Sequence, residues 1–505
     1  MMTAEAMSGP TLGALLAECC PASSADRPVA GLALDSRRVV AGGAFVALPG
    51  TRTHGFEYLD EALDRGASTV LYAVSDPEWT VARQRACETA GALAVAVPDL
   101  ARRLGAMAAR MHGDPADRLE SVIAVTGTDG KTSVTHFIAA MLDEPERPAG
   151  VLGTLGRGRV GATDAAGLTT PDAIGLQEGL AALADAGIRR VALEASSHGL
   201  AQHRLDGTRI DIAVLTHLGR DHLDYHADAA AYAAAKARLF TWPGLRAAVL
   251  NTADAFGREC LARLAADARA ITYGGEGAEL VAADIRCHPA GLAFELVHGA
   301  SRASVAVPLL GPFNVDNLLA AAGALLALDY PLADIAARMA RVRPIPGRME
   351  LFRVPGRPGV VVDYAHNAGA LETALAALRA HTAGRVWCVF GAGGDRDRGK
   401  RPLMGAAACA GADRVIVTDD NPRSEPPGRI VAEILAGMPD GGAAQVQHNR
   451  ERALALAVSQ AGENDLILLA GKGHETTQTR GSTPLPWSDR AAARRALGQP
   501  SAEGP

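Results

Sequence analysis

The run Val122-Ile123-Ala124-Val125, leading into Thr126-Gly127-Thr128-Asp129-Gly130-Lys131-Thr132-Ser133, constrains this chain more than any other feature. The apolar residues predict a short buried strand and the glycines a turn, while Val134, Phe137, Ile138 and Met141 recur at the spacing of one helix face. Strand, glycine loop and helix in succession make a phosphate cradle. Glycines admit backbone amides close to phosphate oxygens, the helix start favours negative charge, Lys131 supplies a cation and the Thr132 hydroxyl suits magnesium. Val125 occupies the first glycine position of the longer loop pattern, so the compact Gly-x-x-Gly-Lys-Thr form is present. The expected ligand is ATP, held through Gly127, Thr128, Asp129, Gly130, Lys131, Thr132 and Ser133. A GTPase is the rival reading, but no convincing guanine-reading Asn-Lys-x-Asp element accompanies the loop.

A length of 505 residues exceeds one ordinary core, and about 150 residues per domain predicts three. Hydrophobic residues at 48% and charged residues at 21% give each domain a core to bury. The formal charge of -6 supplies no broad basic surface for a nucleic-acid backbone, so nucleic acid is not an expected partner, although a local basic pocket for an anionic substrate is compatible. Seven cysteines without zinc-like paired spacing fit reduced thiols in a cytoplasm. No Lys or Arg precedes Arg27, so the apolar run from Leu12 to Cys20 lacks the charged flank of a signal peptide. With no apolar stretch long enough to span a bilayer, the expected protein is cytoplasmic and not membrane-inserted.

Residues 1–118 hold short β-like and helical patches and the phrase Asp35-Ser36-Arg37, without a catalytic cluster. The turn-rich Met111-His112-Gly113-Asp114-Pro115 marks the first boundary. In residues 119–343, strand candidates Val122 to Val125, Val191 to Leu193, Ile210 to Leu215 and Ala247 to Leu250 alternate with Ala-rich helical stretches, which predicts parallel βαβ units. Pro344-Ile345-Pro346-Gly347 is the second hinge. In residues 344–505, four apolar runs end in polar clusters: Val360 to Val362 before Asp363 to His366, Val386 to Phe390 before Gly391 to Arg398, Val415 to Val417 before Asp419 to Arg423, and Leu466 to Leu469 before Gly471 to Glu475. Open α/β sheets bind ligands beyond the carboxyl ends of their strands, so these clusters are expected to meet in one crevice. Ser501 to Pro505 are expected to be a disordered tail.

An ordered series of phrases resembles the Mur ligases, and among them the branch that adds diaminopimelate. They are Asp35-Ser36-Arg37, the Gly127 to Ser133 loop, Thr169-Thr170-Pro171, Glu194 to Leu200, Gln202-His203-Arg204, Asp221-His222-Leu223-Asp224-Tyr225-His226, Lys236, Asn314 to Asn317, Gly347 to Glu350, Tyr364-Ala365-His366, Gly394-Asp395-Arg396, Asp420 to Arg423 and Gly471 to Glu475. The resemblance spans nearly the whole chain. It implies an α/β protein of three domains: an N-terminal UDP-sugar-binding domain, a central P-loop ATPase and a C-terminal Rossmann-like domain for the amino acid. It further implies that Leu34, Ser36, Thr169, Thr170, Ser196, Gln202 and Arg204 hold a UDP-linked muramoyl dipeptide, and that Asn317, Arg348 and Asp363 engage ATP. Thr132, Glu194, His222 and Lys236 would surround magnesium, with Lys131, His222 and Lys236 catalytic and Lys236 carbamylated to N6-carboxylysine. A hard cation bridging phosphates prefers oxygen, which suits Thr132 and Glu194 better than His222. Arg396, Asp420, Asn421, Pro422, Arg423, Gly471 and Glu475 would bind meso-diaminopimelate. The implied reaction forms an amide in peptidoglycan precursor synthesis, carried out by a monomer.

Three departures from the family pattern bear on substrate positioning: Asp129 and Leu168 stand where asparagines are usual, and Asn367-Ala368-Gly369 stands for Thr-Pro-Asp. A diverged ligase adding lysine or another amine is therefore an alternative, as are a folylpolyglutamate synthetase, a ligase adding the D-alanyl dipeptide and a non-catalytic nucleotide-binding paralogue. Asp35-Ser36-Arg37 and Asp420 to Arg423 argue against the second and third, and the joint presence of Glu194, His222 and Lys236 against the last.

Overall fold

The computed structural model describes residues 9–50, 53–164, 167–219, 221–222, 225–439 and 444–500. The expected tail, together with Leu223 and Asp224 of the Asp221 to His226 phrase, lies outside them. The chain divides into two compact units, residues 1–276 with 323–328 and residues 277–322 with 329–505.

The first unit opens with a parallel sheet of Leu32–Ala33, Ala44–Ala47, Thr69–Ala73 and Leu93–Val97, paired in chain order. Helices Leu12–Leu16 and Leu100–Met111 bury Leu12, Leu15, Leu104 and Met107 against it. The latter helix stops where Gly113 (φ 67°) and Asp114 (φ 47°) turn left-handed and Pro115 starts a single 3-10 turn.

Next comes a parallel sheet in the order Arg269–Tyr273, Ala247–Asn251, Ile212–Leu215, Ser121–Thr126, Arg190–Glu194 and Ala149–Gly153. Antiparallel strands Gly156–Arg159 and Ala162–Asp164 extend it past Ala149–Gly153. Ser121–Thr126 is buried along its whole length, because strands cover both edges and helices both faces, and near-continuous apolar runs are the signature of such strands. The strand expected from Ile210 begins at Ile212. Asp211 just before it accepts a hydrogen bond from Val122 N (2.8 Å), so a buried carboxylate fixes the register there.

In the second unit, Leu280–His288, Gly291–His298 and Ser301–Val307 form an antiparallel meander. A separate sheet runs Glu350–Phe352, Gly359–Asp363, Leu466–Ala470, Val386–Phe390, Arg414–Val417 and Gln445–Val446, all parallel after the first strand. Two apolar clusters cover its faces, one with Leu371, Met404 and Ile434, the other with Leu454, Ala493 and Leu497. The four expected strands are all present and parallel, so their carboxyl ends share one edge. At the proline hinge, Gly347 (φ 68°) lies so close to Gly473 and His474 that an added Cβ would sit 2.2 Å from their backbone.

Candidate functional site

Within the first unit, the loop strand ends at Thr126 and the helix Lys131–Leu142 begins at Lys131, with Gly130 (φ 81°) as its left-handed cap. Gly127 (φ 148°) admits no side chain, since a Cβ would meet Thr216 Oγ1 at 1.7 Å. Thr216 Oγ1 donates to Asp129 O (2.6 Å) and Thr128 N to His217 O (2.8 Å), tethering the loop to the end of the neighbouring strand. Lys131 Nζ folds back onto Gly127 O (3.0 Å) and Thr128 O (2.8 Å). The Asp129 side chain points outward, 3.5 Å from His217.

Glu194 ends the strand next to the loop and is buried. Its Oε2 accepts from Thr132 Oγ1 (3.0 Å) and Thr154 Oγ1 (3.1 Å), its Oε1 from Thr154 N (2.7 Å). Burial pushes the carboxyl upward against these donors and the Lys131 charge. A threonine hydroxyl beside a carboxylate is an oxygen donor pair that fits magnesium, which commonly takes one or two carboxylates and completes its shell with phosphate and water. No group of three or more His, Cys, Asp or Glu suited to a metal forms among the described residues.

Lys236 lies on the helix Ala229–Ala237, which Asp228 caps by accepting from Ala231 N. Its side chain is 1% exposed, Nζ donates to Gly127 O (2.6 Å) and stands 4.6 Å from the Tyr232 ring centre. Burial, then repulsion by Lys131, holds its pKa well below the usual lysine value. Tyr232 hydrogen-bonds Thr128 Oγ1 (2.9 Å), and burial drives its phenol up to about 12. His222, half-exposed at φ 54°, packs among the rings of His198 (4.8 Å) and Tyr232 (6.3 Å).

The residues expected to grip the nucleotide sugar fall into two groups. Thr170 Oγ1 donates to Glu194 O (2.7 Å) and accepts from Ser196 N (3.0 Å), while Thr154 Oγ1, its proton given to Glu194, hydrogen-bonds Thr169 Oγ1 (3.0 Å) as the acceptor. Arg204 donates to Thr170 O (2.6 Å) and to Gln202 Oε1 (2.6 Å), and Gln202 Nε2 to Tyr225 OH (2.9 Å). Ser196 caps the short helix Ser197–Ala201. These side chains thus adjoin the Glu194 strand end. Leu34 and Ser36 instead belong to the N-terminal sheet region, where Ser36 Oγ donates to Glu61 (2.7 Å).

Within the second unit, the four clusters do meet. Asp363 accepts from Met349 N and Ala365 N (both 2.8 Å) and is pushed upward by burial, opposed by Arg348. Arg348 lies 4.5 Å over the Tyr364 ring, with its Nε buried and without a hydrogen-bond partner among the described residues. Gly471 N donates to Asp363 O (3.1 Å), and a Cβ on Gly471 would approach Asp420 Oδ2 to 2.7 Å. Arg423 (φ 51°) donates through Nη1 to Gly394 O (2.7 Å), and Gly394 N to Asn421 O (2.9 Å), with Pro422 buried between. Asn421 Nδ2 donates to Glu475 Oε2 (3.0 Å). Arg396 is exposed on its loop. Asn317, on the helix Phe313–Ala327, donates to Asn314 Oδ1 (2.9 Å).

Sequence reading passed over Thr154, Tyr232 and Lys472. Thr154 directly follows one strand as Glu194 ends its neighbour, and Lys472 stands inside the Gly471 to Glu475 phrase, so position carried a signal for both.

Comparison with known proteins bears on the same segments. The model "Mur ligase family, catalytic domain" matches residues 28–112, "Mur ligase middle domain" residues 125–325 and "Mur ligase, glutamate ligase domain" residues 347–473. A UDP-N-acetylmuramoyl-L-alanyl-D-glutamate–2,6-diaminopimelate ligase from Alkalilimnicola ehrlichii is 52% identical over 481 residues, covering 94% of this chain and 96% of the relative. The Pseudomonas aeruginosa protein of the same name is 45% identical over 485 residues, with 94% and 96% covered. A solved structure of a ligase of that name is 35% identical with a TM-score of 0.71, covering 97% of this chain and 99% of that one.

Proposed function

The chain belongs to the Mur ligase family of ATP-dependent, amide-bond-forming enzymes, and we propose that it joins meso-diaminopimelate to the D-glutamyl side-chain carboxylate of UDP-N-acetylmuramoyl-L-alanyl-D-glutamate. The observation that carries the choice of acceptor is the 52% identity, over 94% of the chain, with a ligase named for it.

A carboxylate does not acylate an amine at neutral pH. The glutamyl oxygen attacks the γ-phosphorus of ATP, the bond to the bridging oxygen breaks, and ADP leaves an acyl phosphate. The amine then attacks the acyl carbon, inorganic phosphate departs and the amine loses a proton. Lys131 in the phosphate loop offsets the charge on the transferred phosphoryl group. Thr132, Glu194, His222 and Lys236 would hold magnesium, which when bound offsets further phosphate charge. Lys236 supports its own reading as N6-carboxylysine. A neutral amine is the form that adds carbon dioxide, and burial beside Lys131 favours that form. The product is a carboxylate, which converts repulsion of Lys131 into attraction.

Asn317, Arg348 and Asp363 complete ATP binding, and Gly127 to Ser133 surround its phosphates. Leu34, Ser36, Thr169, Thr170, Ser196, Gln202 and Arg204 take the nucleotide sugar and its peptide, with hydroxyl, amide and guanidinium donors suited to an anion. Arg396 and Arg423 meet the distal carboxylate of the amino acid, Glu475 and the Gly471 carbonyl its ammonium, and Asp420, Asn421 and Pro422 shape the pocket. Residues 1–118, 119–343 and 344–505 are the proposed domains of a cytoplasmic monomer; among the described residues no helix is long and apolar enough to cross a membrane.

A phosphate-release assay with ATP, magnesium and the UDP-muramoyl dipeptide, run in parallel with diaminopimelate, lysine and D-alanyl-D-alanine, tests the proposal. Stoichiometric phosphate and amide with diaminopimelate is the expected result. Faster turnover with either of the others overturns the acceptor, and no turnover with any overturns the activity.

A further inference from the structure

Lys472 is the most completely buried ammonium in the second unit, with no exposed side-chain surface, and no role so far uses it. A charge taken out of water survives only where it is paired. Lys472 Nζ donates to Glu475 Oε2 (2.7 Å) and Asn421 Oδ1 (2.9 Å). Thr479 N also donates to Asn421 Oδ1 (2.9 Å), so both donors occupy the amide oxygen and turn Nδ2 toward Glu475 Oε2 (3.0 Å). Glu475 thereby takes two donors on one oxygen, while Oε1 takes none among the described residues. Lys472 follows the strand Leu466–Ala470 and Asn421 follows Arg414–Val417, and the strand Val386–Phe390 lies between them. The contact therefore stitches two strand ends together across the mouth of the crevice.

We propose that Lys472 is a positioning residue for the amino-acid substrate: it holds Glu475 oriented, with Oε1 presented to the distal ammonium. The inference rests on the reading of Glu475 as an ammonium partner and assigns the device that makes it one. The third residue of the device, Asn421, transmits the orientation through its amide.

The test compares wild type, Lys472→Met, Glu475→Gln and the double variant in steady-state kinetics. Lys472→Met should raise the KM for diaminopimelate by at least about tenfold and leave the KM for ATP within about twofold. Because Lys472 acts through Glu475, adding Lys472→Met to Glu475→Gln should change the KM by no more than about twofold. With 2-aminopimelate, which keeps the distal carboxylate and lacks the distal ammonium, the Lys472→Met penalty should vanish. Should Lys472→Met fail to fold, the double variant, which leaves no unpaired charge, still decides: a KM well above that of Glu475→Gln overturns the inference. So does an unchanged KM in Lys472→Met, or an equal penalty with 2-aminopimelate. A wild type that prefers lysine overturns the acceptor reading alone, because lysine also carries a distal ammonium and the same cycle can be run with it.

Discussion

Lys131 and Lys236 both donate to the carbonyl of Gly127, at 3.0 and 2.6 Å, so two lysine side chains share one acceptor in the phosphate loop. Their fates should differ. Lys131 is only partly buried and donates to Gly127 and Thr128 of its own loop, so Lys131→Ala should abolish turnover while leaving the thermal midpoint within a few degrees. Near-normal turnover by the folded variant would remove the phosphate role. Lys236 is enclosed, and its carbamate should appear as a carbonyl resonance when the protein is equilibrated with 13C-bicarbonate, absent from Lys236→Ala. That variant should lose activity, with partial restoration by a small added carboxylic acid. An active, ATP-bound crystal structure with an unmodified lysine would refute the assignment. Lys131 was legible because strand, glycines and lysine are contiguous. The surroundings of Lys236 were not, because the carbonyl it touches lies 109 positions away and only the fold brings them together.

Among elements, long apolar runs translated directly: Ser121–Thr126, Gly359–Asp363, Val386–Phe390 and Leu466–Ala470 all stand where the sequence placed strands. The elements that escaped lack that signal. Leu32–Ala33 has two residues, and Gly156–Arg159 and Ala162–Asp164 are polar and largely exposed, stabilised by pairing with a neighbour rather than by their own pattern. The loop helix carries a consequence of its burial. His136 on Lys131–Leu142 is 5% exposed, and desolvation lowers its pKa from 6.5 to about 4. The unfolded chain therefore binds a proton that the folded one refuses between these values, so stability is full above pH 6.5 and falls as pH drops toward 4. At about 1.4 kcal/mol per unit the loss amounts to about 3 kcal/mol. Denaturant titrations from pH 7.5 to 4 should show it, and His136→Phe should flatten that part of the curve; an unaltered slope would mean that another group titrates.

For the whole molecule, the remaining question is which amine the assembled ligase selects. Meso-diaminopimelate and lysine differ by one carboxylate at the distal carbon, so selection requires a cation for that group and nothing more. The crevice edge of the second unit offers Arg423, whose planar fork suits a carboxylate, whose guanidinium donates to Gly394 O and whose backbone, at φ 51°, donates to Thr479 O on the strand Thr477–Arg480. Loop and strand thus aim one guanidinium, which favours Arg423 over the exposed Arg396 as the selective contact. Losing a charge-assisted bond costs about 1.5 to 3 kcal/mol, or roughly ten- to hundredfold in binding. Arg423→Ala should therefore raise the KM for diaminopimelate at least about tenfold, alter that for ATP little and narrow the preference over lysine. Arg423→Lys, which keeps the charge but loses the fork and the reach to Gly394, should fall between the two. Because Ala also removes the Gly394 contact, lysine turnover is the control: a loosened loop slows both amines alike, whereas a lost carboxylate partner penalises diaminopimelate alone. Equal penalties on both would strip Arg423 of its selective role and leave the ligase activity standing.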